Sequence, residues 1–93
     1  MRRIAALSTF QRSLNKLSPL EKAKLGESLN QFKAFVYRGV TPVGLGFKKL
    51  DRDIYEFRAG LSLRVVVLAE GDNYYLVLAG NHDEVKRYLR HYR

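Results

Sequence analysis

The sequence predicts an α+β fold in which an N-terminal αα-hairpin packs on an antiparallel β-meander, with a short C-terminal helix after it. Ninety-three residues suit a single domain, assigned to residues 1–93. Apolar residues at helical spacing occupy the first forty positions, whereas β-branched and aromatic runs separated by short turns occupy residues 47–79. These turns leave no room for helical crossovers, so neighbouring strands should be antiparallel. Helices segregated from such a sheet predict a sandwich of two layers.

The chain opens with a short strand and a first helix. Residues 3–7 are predicted to form the strand. Ser8 and Gln11 then have the spacing of a capping box, in which each residue's side chain satisfies the other's backbone N–H. The apolar face of this first helix consists of Phe10, Leu14 and Leu17.

The second helix has stronger start and stop signals. Ser18 and Glu21 form another capping box, and Pro19 suits the first helical position. Gly39 is the expected C-terminal stop. The apolar stripe of this helix is Leu25, Leu29, Phe32 and Val36.

The remaining chain is predicted to be a loop, a set of strands and a last helix. Residues 38–46 contain one proline and three glycines and are assigned to the loop. Asn81 and Glu84 can cap the helix that follows Gly80. The predicted strands are residues 47–50, 54–58, 63–68 and 74–79.

Charge is the strongest compositional signal. The chain has 17 Lys and Arg against 9 Asp and Glu, a net charge of +8, and a pI near 10.1. This excess favours a polyanionic partner such as nucleic acid, an acidic protein or a membrane surface, although a solvated basic surface explains it as well. The absence of cysteine excludes disulfides and thiolate metal sites. No apolar run is long enough to span a bilayer or to serve as a signal peptide, so we expect a cytoplasmic protein without a membrane partner.

Two arginines flank a short turn in the stretch IYEFRAGLSLRVVV. If this hairpin is centred near Leu61, Arg58 stands opposite Arg64, and Glu56 lies on the same face of the sheet. Opposed like charges are destabilising unless an anion lies between them, and arginine matches the oxygens of a phosphate. The alternative is a solvated salt-bridge face in which Glu56 neutralises Arg64.

His82 lies where the last strand meets the last helix. Histidine is the readiest proton carrier at neutral pH. The alternative is a residue of the helix-capping region whose ring hydrogen-bonds a neighbour, which is the usual role of a lone histidine. The other histidine, His91, is not at a spacing that supports a zinc site, so we expect no metal and no cofactor. No nucleophile triad, P-loop or dinucleotide fingerprint is present.

The order of these segments resembles the RelE/ParE superfamily of bacterial type II toxin–antitoxin toxins. The resemblance covers essentially the whole chain and is carried by KKL, YEFR, LRVVV and the last strand running into GNHDEV. It implies a toxin whose sheet holds nucleic acid and which an acidic antitoxin keeps inactive. In the nuclease branch it implies ribosome-dependent, metal-independent cleavage of mRNA. The charge of +8 independently favours an acidic helix that orders on binding.

The resemblance also assigns residues. Arg64 matches the arginine that holds the scissile phosphate, Arg58 matches a second basic position, and His82 matches a catalytic histidine. Glu56 is a candidate base. The cations expected to bind backbone phosphates are Lys48, Lys49, Lys86 and Arg87.

Two alternatives remain open. The chain departs from some nucleases in carrying a further helix with Tyr88 and Tyr92 after the last strand. A ParE-like, non-enzymatic inhibitor of DNA gyrase would not need His82. A non-toxic, basic RNA-binding domain would instead use sheet aromatics to stack bases, namely Tyr55, Tyr74 and Tyr75.

Overall fold

The structure, a computed structural model, describes residues 2–41 and 44–92. Positions 42 and 43 of the predicted loop therefore lie outside the described residues. The fold is α+β, as predicted. In chain order the elements are β1 (Arg3–Ala6), α1 (Ser8–Leu14), α2 (Pro19–Arg38), β2 (Lys48–Asp51), β3 (Ile54–Ala59), β4 (Leu63–Glu70), β5 (Asn73–Gly80) and α3 (His82–Tyr92).

The five strands form a mixed sheet of order β1-β5-β4-β3-β2. Strands β2 to β5 each pair antiparallel with their neighbours in sequence. Strand β1 instead pairs parallel with β5, so the prediction of a purely antiparallel sheet is wrong. The argument from short turns applies only to strands adjacent in sequence. The direction of β1 relative to β5 is free of that constraint, because two helices and three strands separate them.

The helix boundaries follow two of the three predicted capping boxes. Ser18 Oγ accepts a hydrogen bond from the Glu21 N–H at 3.1 Å, and Glu21 Oε1 accepts one from the Ser18 N–H at 2.9 Å. Gly39 ends α2 with a φ of 69°, in the left-handed region that glycine tolerates. The box predicted at Ser8 is wrong, because the N-cap of α1 is Leu7, which makes no side-chain capping bond. The Leu7 N–H bonds the Leu76 carbonyl, so β1 leads directly into the helix.

The sheet buries both of its faces. On one face Phe32 of α2 is fully buried and stacks on Phe57 with 4.8 Å between ring centroids. On the other face Val66 packs in a second cluster with Val85 of α3. Three layers are therefore present, and the prediction of two layers is wrong. The physical reason is that residues 65–67 are all valine, and successive strand positions point to opposite faces.

Within residues 2–41 and 44–92, none of the helices combines the length and apolar composition that a membrane span requires.

Candidate active site

Two arginines face each other at one end of the central strands. Arg58 of β3 pairs directly with Arg64 of β4, and Glu56 pairs with Val66, which is the register that the sequence predicts. Directly paired residues and those two positions away share a face, so Glu56, Arg58 and Arg64 lie on one surface. This is the surface on which α3 packs, since Val66 belongs to the cluster that includes Val85.

Glu56 is a buried carboxylate with two cationic neighbours. It is 2% exposed, and its Oε2 accepts a hydrogen bond from Arg64 Nη1 at 2.7 Å. Lys48 Nζ lies 3.7 Å from the same oxygen. The ion pair between Glu56 and Arg64, which is the alternative interpretation of the sequence, is therefore present. Glu56 is buried, however, and is not the solvated surface group that this interpretation expects. A buried carboxylate on one side of Arg64 fixes the direction of the guanidinium.

Arg58 differs from Arg64 in having no counter-charge among the residues that the structure describes. Its side chain is exposed, and its guanidinium has neither a hydrogen bond nor an ion pair with any residue that the structure describes. Its backbone N–H donates to the Leu45 carbonyl at 2.8 Å. Among the described residues, Lys48 and Arg64 thus share the Glu56 carboxylate while Arg58 adds a third positive charge to the same face, so this end of the sheet carries a surplus of positive charge. Such a surplus suits an anion as the missing partner.

His82 lies close to the same strand ends. Gly80, the last residue of β5, pairs with Arg64, and His82 follows two positions later as the first residue of α3. Its side chain is exposed. The capping box predicted at the helix start is confirmed: the Glu84 N–H bonds Asn81 Oδ1 at 2.9 Å, and the Asn81 N–H bonds Glu84 Oε1 at 3.0 Å. These bonds fix the turn that carries the imidazole.

The four predicted phosphate-binding cations do not share one surface. Lys48 pairs with Glu56 and so lies on the face of the two arginines, whereas Lys49 pairs with Tyr55 and points to the opposite face. Lys86 and Arg87 are exposed on α3, and Lys86 lies one helical turn after His82.

A cleft of about 480 Å³ opens at the same end of the sheet. It is lined by Ser62, Asn81 and Glu84 and by polar residues of the N-terminal region, but not by the predicted catalytic residues. The arginine pair itself therefore does not line this cleft.

The role of Leu45 in holding Arg58 is not predicted from the sequence, which indicates only a loop over residues 38–46. Leu45 is 1% exposed, and its carbonyl holds the backbone of Arg58. The signal that could have revealed it is an apolar residue between two glycines, Gly44 and Gly46.

In the part of the chain that the structure describes, no three His, Asp or Glu side chains are grouped closely enough to hold a metal ion. Burial raises the pKa of the Tyr88 phenol above its ordinary value of 10.0, and the neighbouring Tyr92 adds to the increase.

Comparison with known proteins shows the fold. No protein-family model and no curated protein sequence matches the chain. Among solved structures, the RelB–RelE antitoxin–toxin complex from Methanococcus jannaschii has a TM-score of 0.70 at 14% identity, with 90% of this chain and 96% of that chain covered. The DinJ–YafQ complex of E. coli has a TM-score of 0.68 at 10% identity, covering 91% and 98%. A copper-bound mutant toxin from Helicobacter pylori has a TM-score of 0.64 at 17% identity, covering 91% and 99%. The chain therefore has the fold of RelE- and YafQ-type toxins, and the resemblance found in the sequence is confirmed at that level.

Proposed function

We propose that this protein is the toxin of a type II toxin–antitoxin module and that it cleaves mRNA on the ribosome without a metal ion. The fold shared with RelE and YafQ supports the toxin assignment. The observation that supports the nuclease assignment is the direct opposition of Arg58 and Arg64, with His82 two residues after Gly80, the β5 partner of Arg64. Opposed cations destabilise a sheet unless an anion lies between them, and the scissile phosphate is that anion.

The two arginines hold the phosphate and stabilise the charge that grows on it. The ribose 2′-oxygen attacks the adjacent phosphorus, so that an O2′–P bond forms and the P–O5′ bond breaks. The Arg58 guanidinium has no partner among the described residues and is available for this role, and Arg64 is directed by its hydrogen bond to Glu56. Preorganised donors of this kind typically contribute about 10²–10³ each in rate.

His82 transfers a proton at the ribose hydroxyl or at the leaving 5′-oxygen. The products are a 2′,3′-cyclic phosphate and a free 5′-hydroxyl. General acid–base catalysis by a positioned side chain contributes about 10²–10⁴ in rate.

Glu56 is assigned to positioning Arg64 rather than to the role of base that the resemblance suggested. It is 2% exposed, and its Oε2 already accepts from Arg64 Nη1. A base must reach the proton that it removes, whereas a buried carboxylate can hold a guanidinium in place without touching RNA. The backbone phosphates are bound by Lys48 on the same face and by Lys86 and Arg87 on α3, with Lys49 binding from the far face.

The partner that keeps the toxin inactive is an acidic antitoxin. Two of the structural relatives are complexes with the antitoxins RelB and DinJ. The net charge of +8 favours an acidic segment that orders on binding. The complex forms in the cytoplasm, where ribosomes and mRNA are present.

The test is induced expression in a bacterial host with mapping of transcript 5′-ends, followed by cleavage of mRNA on purified ribosomes. Arg58→Ala, Arg64→Ala and His82→Ala are each expected to lose at least about 10²-fold in cleavage rate. The control is Arg38→Ala, which removes one exposed arginine from the end of α2. The proposal fails if transcripts stay intact during growth arrest, or if Arg64→Ala and His82→Ala cleave at the wild-type rate. Growth arrest with intact transcripts and inhibited DNA supercoiling would indicate a gyrase inhibitor.

A further inference from the structure

The loop before β2 is held against Arg58 at two points. The Leu45 carbonyl accepts the Arg58 N–H at 2.8 Å, and the Leu45 side chain is buried in the core. The next residue, Gly46, lies against the Arg58 side chain. A β-carbon added at Gly46 would lie 3.3 Å from both Cγ and Cδ of Arg58 and 3.6 Å from Nε.

A contact of 3.3 Å is closer than carbon atoms normally approach, since their optimal separation is about 3.5–4.0 Å. Any side chain at position 46 would therefore displace the stem of Arg58. The guanidinium at the end of that stem has no partner among the described residues, so no ion pair would hold it in place. Among the described residues, only packing contacts guide the stem.

We infer that Gly46 is a positioning residue for Arg58. Because glycine has no β-carbon, the stem of Arg58 can pack closely against position 46. This packing sets the point at which the guanidinium contacts the scissile phosphate. The inference rests on the proposed function, because it gives a role to Gly46 only if Arg58 acts on the phosphate. Gly46 acts through Arg58 and does not itself touch the RNA.

The chain offers a matched control two residues earlier. Gly44 and Gly46 both have positive φ, 77° and 67°, so alanine at either position incurs the same kind of backbone strain. A β-carbon at Gly44, however, would have none of the described atoms within 4 Å. The two substitutions therefore share their effect on the backbone and differ in their effect on Arg58.

The experiment compares Gly46→Ala with Gly44→Ala in single-turnover cleavage of mRNA on programmed ribosomes, at saturating and at limiting toxin. Displacement of a reacting group by about 1 Å can reduce a rate by about 10²-fold, and a shift of a few tenths of an ångström is expected to reduce it about tenfold. We expect this loss for Gly46→Ala relative to Gly44→Ala in the maximal rate, with the half-saturating toxin concentration unchanged. The unfolding midpoints of the two variants in urea should coincide.

A second comparison isolates the route through Arg58. In an Arg58→Ala background the Cγ and Cδ atoms are gone, so Gly46→Ala should cause no loss beyond that of Gly44→Ala. The inference is supported if Gly46→Ala cleaves more slowly than Gly44→Ala in the wild-type background and the two variants cleave at equal rates in the Arg58→Ala background. If Arg58→Ala loses activity while Gly46→Ala cleaves as fast as Gly44→Ala, the positioning role is wrong and the proposed function survives. If Arg58→Ala cleaves at the wild-type rate, the role of Arg58 fails, and that of Gly46 fails with it.

Discussion

The substitution Glu56→Gln tests how the buried carboxylate contributes to stability. Glutamine keeps the size of the side chain and one acceptor oxygen but removes the charge that Arg64 Nη1 contacts at 2.7 Å and Lys48 Nζ approaches at 3.7 Å. Removing one partner of a fully buried ion pair costs about 3–5 kcal/mol. The Arg64 side chain is 21% exposed and can regain water, and the amide oxygen can still accept a hydrogen bond. The expected loss is therefore that of a hydrogen bond to a charged group, about 1.5–3 kcal/mol.

The assay is equilibrium unfolding in urea, followed by circular dichroism. For a domain of this size the slope is about 1–3 kcal/mol per molar urea, so the midpoint of Glu56→Gln should fall by about 1 M with an unchanged slope. The matched control is Glu70→Gln, because Glu70 is exposed at the end of β4 and should shift stability by no more than about 0.5 kcal/mol. A Glu56→Gln midpoint equal to that of the control would refute the assignment of a stabilising buried pair.

The same variant separates two roles of Glu56 in catalysis. If Glu56 acts by directing Arg64, Glu56→Gln should lower the cleavage rate in the wild-type background but add nothing in an Arg64→Ala background. A base would make an independent contribution, and the two losses would then multiply. Multiplying losses would restore the role of base that the resemblance suggested.

Three further predictions follow from single features of the structure. Ser18→Ala should lower the free energy of unfolding by about 1 kcal/mol, because it removes the α2 cap, whereas Ser8→Ala should change it by less than about 0.5 kcal/mol; equal losses in urea unfolding would contradict the assigned caps. Tyr88 has a raised pKa in the folded chain, so the stability linked to its proton is complete below pH 10.0 and is lost as the pH rises through the raised value. As the pH rises above 10.0, Tyr88→Phe should therefore lose less stability than the wild type, and parallel curves of stability against pH would refute this. Lys86→Ala should reduce the slope of log affinity for RNA against log salt by about 1, whereas the exposed α2 variant Lys33→Ala should leave it unchanged.

The local elements of this protein could be read from its sequence because their causes are local. The capping boxes at Ser18 and Asn81 and the stop at Gly39 depend on residues within one helical turn. The opposition of Arg58 and Arg64 depends on a short turn and on the two-residue period of a strand, and so it too could be predicted from the sequence.

Tertiary structure alone decided what depends on residues distant in sequence. The parallel pairing of β1 with β5 and the third layer formed by α3 join segments that no local pattern connects. Glu56 is buried by the tertiary packing of the chain, and burial distinguishes a positioning carboxylate from a solvated one. The contact between Gly46 and Arg58 requires a loop to fold back over a strand that begins eight residues later. Sequence patterns report the energies of near neighbours, whereas these contacts arise only once the whole chain has packed.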